Sequence, residues 1–202
     1  QRQRKVKHMC GRYFIDSDEP TMGTMLSALS PETPIHGGEV FPSNMAPVIT
    51  RHGELTTMFW GFPRFDGKGL IINARSETAA EKPMFRAPMQ CGRCLIPASW
   101  YLEWEQSGTA KIKHAIRTLE PVLYLAGLSR QERDGQLRFV ILTRPACASI
   151  RYIHDRMPVI FPPALHDPWL HGNTPIRLME YVETGKIIEH SRLSSKKSEV
   201  LF

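Results

Sequence analysis

The chain has 202 residues, of which 42% are hydrophobic and 23% are charged, the usual balance of a folded globular domain. Its formal net charge is +6, but Arg2, Arg4, Lys5 and Lys7 supply four of these charges, and from Cys10 onward 22 basic residues stand against 20 acidic ones. The overall charge therefore gives no argument for nucleic-acid binding, and no run of about 18 apolar residues predicts a membrane span.

The chain opens on the basic segment QRQRKVKH, directly before Met9 and Cys10. Residues 1–9 contain a single aliphatic side chain besides Met9 and cannot bury enough surface to fold alone. We interpret them as a vector-derived leader, with a removable pro-segment or a native basic arm as the alternatives. The folded domain is then predicted over residues 10–202, and removal of Met9 would leave Cys10 as a free N-terminus.

Short elements follow in chain order. Apolar residues at helical spacing predict a helix from Met22 to Leu29, capped within 16–18. Residues 46–50 and 55–60 read as a hairpin, and 76–82 and 84–89 as helices broken by prolines. Later strands are predicted at 94–96, 100–105, 111–117, 122–128, 137–143 and 159–161, with a helix at 146–153 and helical structure after residue 163.

Sixteen prolines interrupt the chain too often for a helical bundle. No repeat or low-complexity linker marks a domain boundary. The pattern predicts a single α+β domain built around an irregular, partly closed, mostly antiparallel β-sheet with short flanking helices. The tail after Glu183 is polar and basic with an apolar tip, which fits either a packed edge element or a disordered end.

The four cysteines are Cys10, Cys91, Cys94 and Cys147. Without a secretion signal we expect them to be reduced thiols in the cytoplasm. Cys91 and Cys94 form a lone C-x-x-C that lacks a second ligand pair at zinc-finger spacing. We therefore expect no metal and no cofactor.

Two polar clusters could carry proton transfer. Glu103 interrupts the apolar strand YLEW; it either faces solvent, or is partly buried and suited to exchanging protons near neutral pH. His154 opens the segment HDRMP, whose histidine titrates near physiological pH. A surface loop with a local Asp155–Arg156 pair explains that segment equally well.

Four further segments allow a functional or a structural interpretation. Trp60, at a strand end, could stack on a base or pack in the core. Asn73 to Thr78 follows an apolar run, where Arg75 could grip a phosphate or Ser76 could merely cap a helix. Asn44 to Pro47 is a turn that leads into a strand. CGR at residues 10–12 is either a reactive thiol beside a cation or an ordinary near-terminal cysteine.

Taken in order, these segments resemble one family, the SOS-response-associated peptidase (SRAP) domain. The matching stretches are CGRY at 10–13, NMAP at 44–47, WG at 60–61, NARSET at 73–78, YLEW at 101–104 and HDRMP at 154–158. Six matches in order over most of the chain are far more specific than any one of them. One departure is Leu102, where the family commonly has an aromatic residue directly before the Glu-Trp pair. A second is Cys10, which is not terminal in this chain.

The resemblance implies a function in the response to DNA damage. The family is known for capturing abasic sites in single-stranded DNA through an N-terminal cysteine, and for removing residues in front of it. By position, Cys10 would be the nucleophile, and Asn73, Glu103 and His154 the polar site around it. The residues implied to contact DNA are Arg12, Asn44, Pro47, Trp60, Arg75, Trp104 and Arg156.

The chemistry explains why the cysteine must be terminal. An opened abasic site exposes an aldehyde, and an α-amine with a pKa of roughly 7.7–8.0 is partly neutral and nucleophilic near pH 7. The amine can form a Schiff base, which the neighbouring thiol closes to a thiazolidine. An internal cysteine has only an amide nitrogen, so we expect the chain as printed not to capture DNA.

The expected partner is single-stranded DNA containing abasic sites, with no membrane. We expect a cytoplasmic monomer that joins the nucleoid when it is bound to DNA. Two rival functions stay open. One is a thiol peptidase that uses Cys10 with His154 and removes its own leader. The other is a non-covalent single-strand-binding module that uses Trp60, Trp104 and the arginines.

Overall fold

The computed structural model describes residues 11–29, 35, 37–173, 175, 178 and 187–193, the last of these for the backbone only. Cys10 and the predicted leader lie outside the described residues. The helices are α1 (Pro20–Ser27), α2 (Pro83–Cys91) and α3 (His166–His171), with a 3-10 turn at Pro163–Leu165. No helix in the described part of the chain is long and apolar enough to cross a membrane.

Fourteen strands are described. They are β1 (Arg12–Ile15), β2 (Gly38–Val40), β3 (Met45–Ile49), β4 (Leu55–Trp60), β5 (Phe62–Pro63), β6 (Leu70–Ile71), β7 (Asn73–Arg75), β8 (Arg93–Ala98), β9 (Trp100–Ser107), β10 (Ala110–Thr118), β11 (Leu123–Gln131), β12 (Leu137–Pro145), β13 (Arg156–Pro158) and β14 (Ile187–Leu193).

The larger sheet closes on itself. Its strands pair in the order β11-β8-β3-β4-β12, and β12 pairs again with β11. The ring is only partly closed, because β3 and β8 meet at the single pair Ile49 and Leu95. Strand β12 also carries β7 and β13, and its pairings with β4 and β7 are parallel. All the other pairings are antiparallel, which confirms the predicted α+β class and partly closed sheet.

The smaller sheet has five antiparallel strands in the order β14-β10-β9-β1-β2. Strand β8 of the larger sheet continues into β9 of the smaller one through Ser99 alone. The Ser99 amide donates to Phe14 O at 2.8 Å, and the Ser99 hydroxyl accepts from the Asp16 amide at 2.8 Å. These bonds fix β1 against the β8–β9 corner.

The hydrophobic core lies in two clusters. Between the sheets, Tyr13 and Tyr101 of the smaller sheet pack against Trp60, Phe139 and Ile141 of the larger one. The second cluster fills the space between the larger sheet and α2 and α3. Its largest members include Phe62, Phe85, Phe161 and Trp169. Burial of these apolar surfaces is the main stabilising term.

The predicted hairpin and the strands β8 to β12 are confirmed, and so is helical structure after residue 163. The cap predicted for α1 within residues 16–18 is wrong. Glu19 caps the helix instead, and its carboxylate accepts from the Met22 amide at 2.7 Å. That hydrogen bond lowers the pKa of Glu19.

Of the two helices predicted around residue 83, the one at 84–89 is confirmed as part of α2, and the one at 76–82 is wrong. Residues 76–82 form successive turns, because the Ser76 amide still donates to Thr143 O and continues the β7 ladder. Helix α2 runs through Pro88 without ending there. Proline lacks the amide that would bond to Met84 O, and Arg130 donates to that carbonyl at 3.4 Å instead.

Two predictions near the end of the domain fail. Residues 146–153 are turns rather than a helix, and the guanidinium of Arg151 donates to Ala146 O. Residues 159–161 form one isolated bridge rather than a strand. The Val159 amide donates to Leu142 O on β12, whereas its carbonyl accepts from Ala126 on β11. The segment thus bonds to both β12 and β11 and forms a continuous ladder with neither strand.

Candidate active site

Glu103 lies in the middle of β9 and is 3% exposed. The solvent-facing alternative is therefore wrong. A buried carboxyl group is costly unless its charge is balanced, and the residue directly across the ladder on β10 is His114. Directly opposed residues of an antiparallel pair have Cβ atoms about 5 Å apart and share one face of the sheet. A buried acid thus faces a buried imidazole.

His114 was not singled out from the sequence. It is 3% exposed, and its Nε2 lies 2.9 Å from Oε2 of Glu105, the next residue of β9 on the same face as Glu103. The available signal was the alternation of residues 111–117, which places His114 on the same face as buried Ile116. As long as the partner strand is not known, a histidine on an apolar face is compatible with ordinary core packing.

The start of the domain lies beside Glu103. Strand β1 begins at Arg12, whose partner on β9 is Leu102. In an antiparallel ladder the residue numbers on one strand rise as the residue numbers on the partner strand fall. Continuing this register by one residue therefore sets Gly11 against Glu103.

Asn73 and His154 are held near the end of β12 by the two strands that pair with it there, β7 and β13. Asn73 begins β7 and pairs with Ile141, whereas His154 precedes β13, whose residues pair with positions 143–145. Thr143 lies between them, fully buried, and its hydroxyl donates to Ala74 O at 3.3 Å. Two of the predicted site residues are therefore held by neighbouring strands of one sheet. The third, Glu103, belongs to the other sheet.

His154 has two competing partners at one ring nitrogen. Its Nδ1 lies 3.1 Å from the Arg156 amide and 3.0 Å from Oδ1 of Asp155. A neutral ring can accept at Nδ1 from the amide, whereas a protonated ring can donate to the carboxylate. The ring side chain is 9% exposed and Asp155 is 84% exposed. His154 thus has a suitable Nδ1 partner in either protonation state, as suits a residue that takes and returns a proton.

Arg156 is committed to an ion pair that joins the turn after β7 to β13. Its guanidinium contacts both carboxylate oxygens of Glu77, with Nη2 to Oε2 at 2.8 Å, and donates to Thr143 O at 2.7 Å. The hydrogen bonds from Arg156 lower the pKa of Glu77 from 4.5 to about 2. This geometry favours a structural role, although Arg156 was predicted to contact DNA.

Trp60 has no exposed surface, so it cannot stack on a base, and we drop it from the predicted DNA contacts. Its indole packs on Tyr13 at 5.2 Å between ring centres, and its Nε1 donates to Ile72 O at 3.0 Å. Ile72 directly precedes Asn73. The core alternative for Trp60 is therefore the right one, and the indole positions the strand that carries Asn73.

A groove of about 820 Å³ opens beside Asn73. Its apolar walls include Phe65, Ile71 and Met84, and the Phe65 side chain is completely exposed. Its cationic side chains are Arg75, Lys82 and Arg130. Arg75 has no ion-pair partner within the described part of the chain. No pattern in the sequence predicts this groove, because its walls come from several separate segments.

Arg12 and Trp104 lie together near the start of β1. The Arg12 guanidinium is 5.0 Å from the ring centre of Trp104 and 4.5 Å from that of Phe41. It also pairs with Glu39 at 3.3 Å, and Lys113 forms a second ion pair with Glu39. Two cations and one carboxylate leave this cluster net positive, which is compatible with a phosphate contact.

Two other predicted contacts have structural roles. Asn44 is exposed, but its Oδ1 accepts from the Phe41 amide at 2.9 Å and closes the turn before β3. Pro47 is buried within β3. Among the described residues, no group of three or more histidine, cysteine or acidic side chains could hold a metal ion. Burial raises the pKa of the Cys94 thiol to about 12, so this cysteine is inert.

Comparison with known proteins places this arrangement in a family. The family model described as SOS response associated peptidase (SRAP) matches residues 9–196. The chain belongs to the SRAP family. This agrees with the resemblance drawn from the six short segments.

Similar proteins include the abasic site processing protein YobE of Bacillus subtilis, 32% identical over 180 residues that cover 81% of this chain and 82% of the relative. The abasic site processing protein YedK of Escherichia coli is 29% identical, covering 80% and 79%. A crystal structure of a Bordetella bronchiseptica protein is 25% identical, has a TM-score of 0.72 and covers 92% of this chain and all of that one.

Proposed function

We propose that this protein processes abasic sites in single-stranded DNA by forming a covalent bond through Cys10. Membership of the family, together with relatives named for abasic site processing, supports the substrate class. The observation that carries the proposal is the buried side chain of Glu103, which lies on the strand that pairs with β1 at the start of the domain. Gly11, the residue bonded to Cys10, lies opposite this acid when the β1–β9 register is continued by one residue.

The reaction joins two nucleophiles to one aldehyde. The neutral α-amine of Cys10 adds to the aldehyde carbon of the opened sugar, and loss of water gives a Schiff base. The thiol then adds across the C=N bond, its proton passes to nitrogen, and a five-membered thiazolidine results. No oxidant or cofactor is needed. The only leaving group is water, so each step requires a proton donor or acceptor.

Glu103 and His154 would supply these protons. Glu103 would take a proton from the amine and return it to the departing hydroxyl during Schiff-base formation. His154 would protonate the sugar oxygen as the ring opens, and the two partners of its Nδ1 suit both protonation states. Asn73, at the mouth of the groove, would orient the reacting terminus through its side-chain amide.

The groove beside Asn73 favours a single strand as substrate. Exposed aromatic surface such as Phe65 can stack on any unpaired base, whereas paired bases present only their edges. The cations Arg75, Lys82 and Arg130 line the same groove and would contact the phosphates. Arg12 would hold a further phosphate near Trp104.

The test uses protein that starts at Cys10, with the free cysteine verified by intact mass. Mixed with single-stranded DNA that carries one abasic site, it should give a denaturant-resistant adduct. The adduct should be absent with undamaged DNA, with Cys10→Ala, and with 202-residue chains that intact mass shows to retain residues 1–9, in which the Cys10 nitrogen is an amide. Failure of the correctly processed protein to form the adduct would refute the proposal.

The family description favours one accompanying activity, the removal of the residues before Cys10 by its own thiol. His154 would then act as the base. The same mass measurement tests it on the 202-residue chain. Loss of residues 1–9 on incubation, abolished by Cys10→Ala, is the expected result; an unchanged mass would exclude self-processing.

A further inference from the structure

A second cavity, of about 350 Å³, lies at the opposite end of α2 from the groove. We call it the arginine cavity, because Arg51, Arg86 and Arg93 all line it. The three reach it from different elements, namely the β3–β4 turn, α2 and the start of β8. No acidic side chain is among the described residues that line it.

Arg93 is the fixed charge of this cavity. It is 4% exposed, and its guanidinium donates to four carbonyls, including Trp169 O at 2.6 Å and Gly172 O at 2.8 Å. These carbonyls belong to the ends of α2 and α3 and to the residue after α3. No carboxylate within the described part of the chain pairs with Arg93.

Arg51 and Arg86 remain able to bind a ligand. Arg51 donates through Nη1 to Gln90 O at 2.7 Å, and Arg86 through Nη2 to Glu81 O at 3.2 Å. Each guanidinium has five N–H groups, so several stay available on both side chains. Neither forms an ion pair with another described residue.

The charge balance at the cavity is positive. The carbonyl ends of α2 and α3 each contribute at most about half a negative charge, which leaves about two of the three positive charges uncompensated. Burial and the neighbouring positive charge of Arg51 together lower the pKa of Arg93. A bound dianion would relieve this repulsion.

We propose that the arginine cavity binds a phosphate group, with Arg51 and Arg86 as direct ligands and Arg93 as a buried positive charge behind them. DNA is the source that its position favours. Helix α2 has nine residues and is about 13 Å long, a distance that a few nucleotides of a single strand can span. A strand that left the groove along α2 would bring a backbone phosphate to the cavity. Only this choice of source rests on the proposed function.

The test measures non-covalent binding of undamaged single-stranded DNA, so it does not depend on adduct formation. Arg51→Ala/Arg86→Ala is compared with wild type on a dinucleotide, which is too short to reach from the groove to the cavity, and on a strand of about 20 nucleotides. For the long strand we expect about tenfold weaker binding and a salt slope reduced by about 0.7, with the short strand unaffected. Arg93→Ala is avoided, because its loss would leave four carbonyls unpaired.

Lys111→Ala/Arg133→Ala removes two exposed charges elsewhere and is the matched control. Equal losses in the two double variants, or equal losses on both strand lengths, would refute a DNA-phosphate site. A parallel arm measures inorganic phosphate by its effect on thermal unfolding at constant ionic strength. Stabilisation by phosphate that requires Arg51 and Arg86, without a strand-length effect, would assign the cavity to free phosphate. Absence of both effects would overturn the proposal.

Discussion

Two carboxyl groups of this protein, one exposed and one buried, have different neighbours. Glu77 is held by both nitrogens of one arginine, Arg156, and its pKa falls to about 2. Glu103 is more deeply buried, and its directly opposed neighbour is a histidine. A guanidinium only donates hydrogen bonds, whereas an imidazole nitrogen can donate or accept one. The first environment fixes a charge, and the second is the one that our proposal uses for proton transfer.

The largest expected effect is on the rate of adduct formation when each glutamate, Glu103 or Glu77, is replaced by glutamine. Glu103→Gln keeps the size of the side chain but cannot accept a proton, so we expect adduct formation to slow by about 100-fold or more. Glu77→Gln should leave the rate per folded molecule within about twofold. Single-turnover rates of protein that begins at Cys10 measure both. A similar loss of rate in the two variants would show that the contrast between these acids is not functional.

The sequence singled out Glu103 as a candidate for proton transfer, whereas Glu77 was only part of the NARSET stretch. The environments of the two acids depend on His114 and Arg156, which are 11 and 79 positions away in the chain. Local patterns predicted the strands that carry them. Glu103 shares its face of β9 with Tyr101, which packs against the larger sheet, and alternation along one strand does not reveal which face is covered in this way.

The failed helix predictions have the same origin. Residues 76–82 have helix-compatible composition, but the Ser76 amide bonds to Thr143, a residue 67 positions away. Pro88 was expected to break the helix at 84–89, but α2 continues through it, and a side chain from β11 donates to the carbonyl that the missing proline amide leaves without its helical bond. In each case a contact between distant segments outweighed the local preference.

A smaller effect, on stability, is expected at Trp60, whose indole packs between the two sheets. Trp60→Phe removes the N–H that donates to Ile72 O and part of the ring that fills the core. We expect about 2 kcal/mol less stability in urea unfolding. Affinity for undamaged single-stranded DNA should stay the same at temperatures where the variant is folded. Weaker binding with unchanged stability would restore Trp60 as a DNA contact.

The smallest effect is the pH dependence of the Glu77–Arg156 pair. Folding lowers the pKa of Glu77 from 4.5 to about 2, so the ionised carboxylate stabilises the folded state above pH 4.5 and loses this effect as the pH falls toward 2. Because the Glu77 side chain is 43% exposed and screened by water, we expect only about 1 kcal/mol. The free energy of unfolding of wild type and Glu77→Gln should differ by that amount at pH 6 and converge near pH 2. A difference that stayed constant across this range would mean that the contact stabilises the turn by packing rather than by charge. Glu77 and Glu103 would then differ in burial alone.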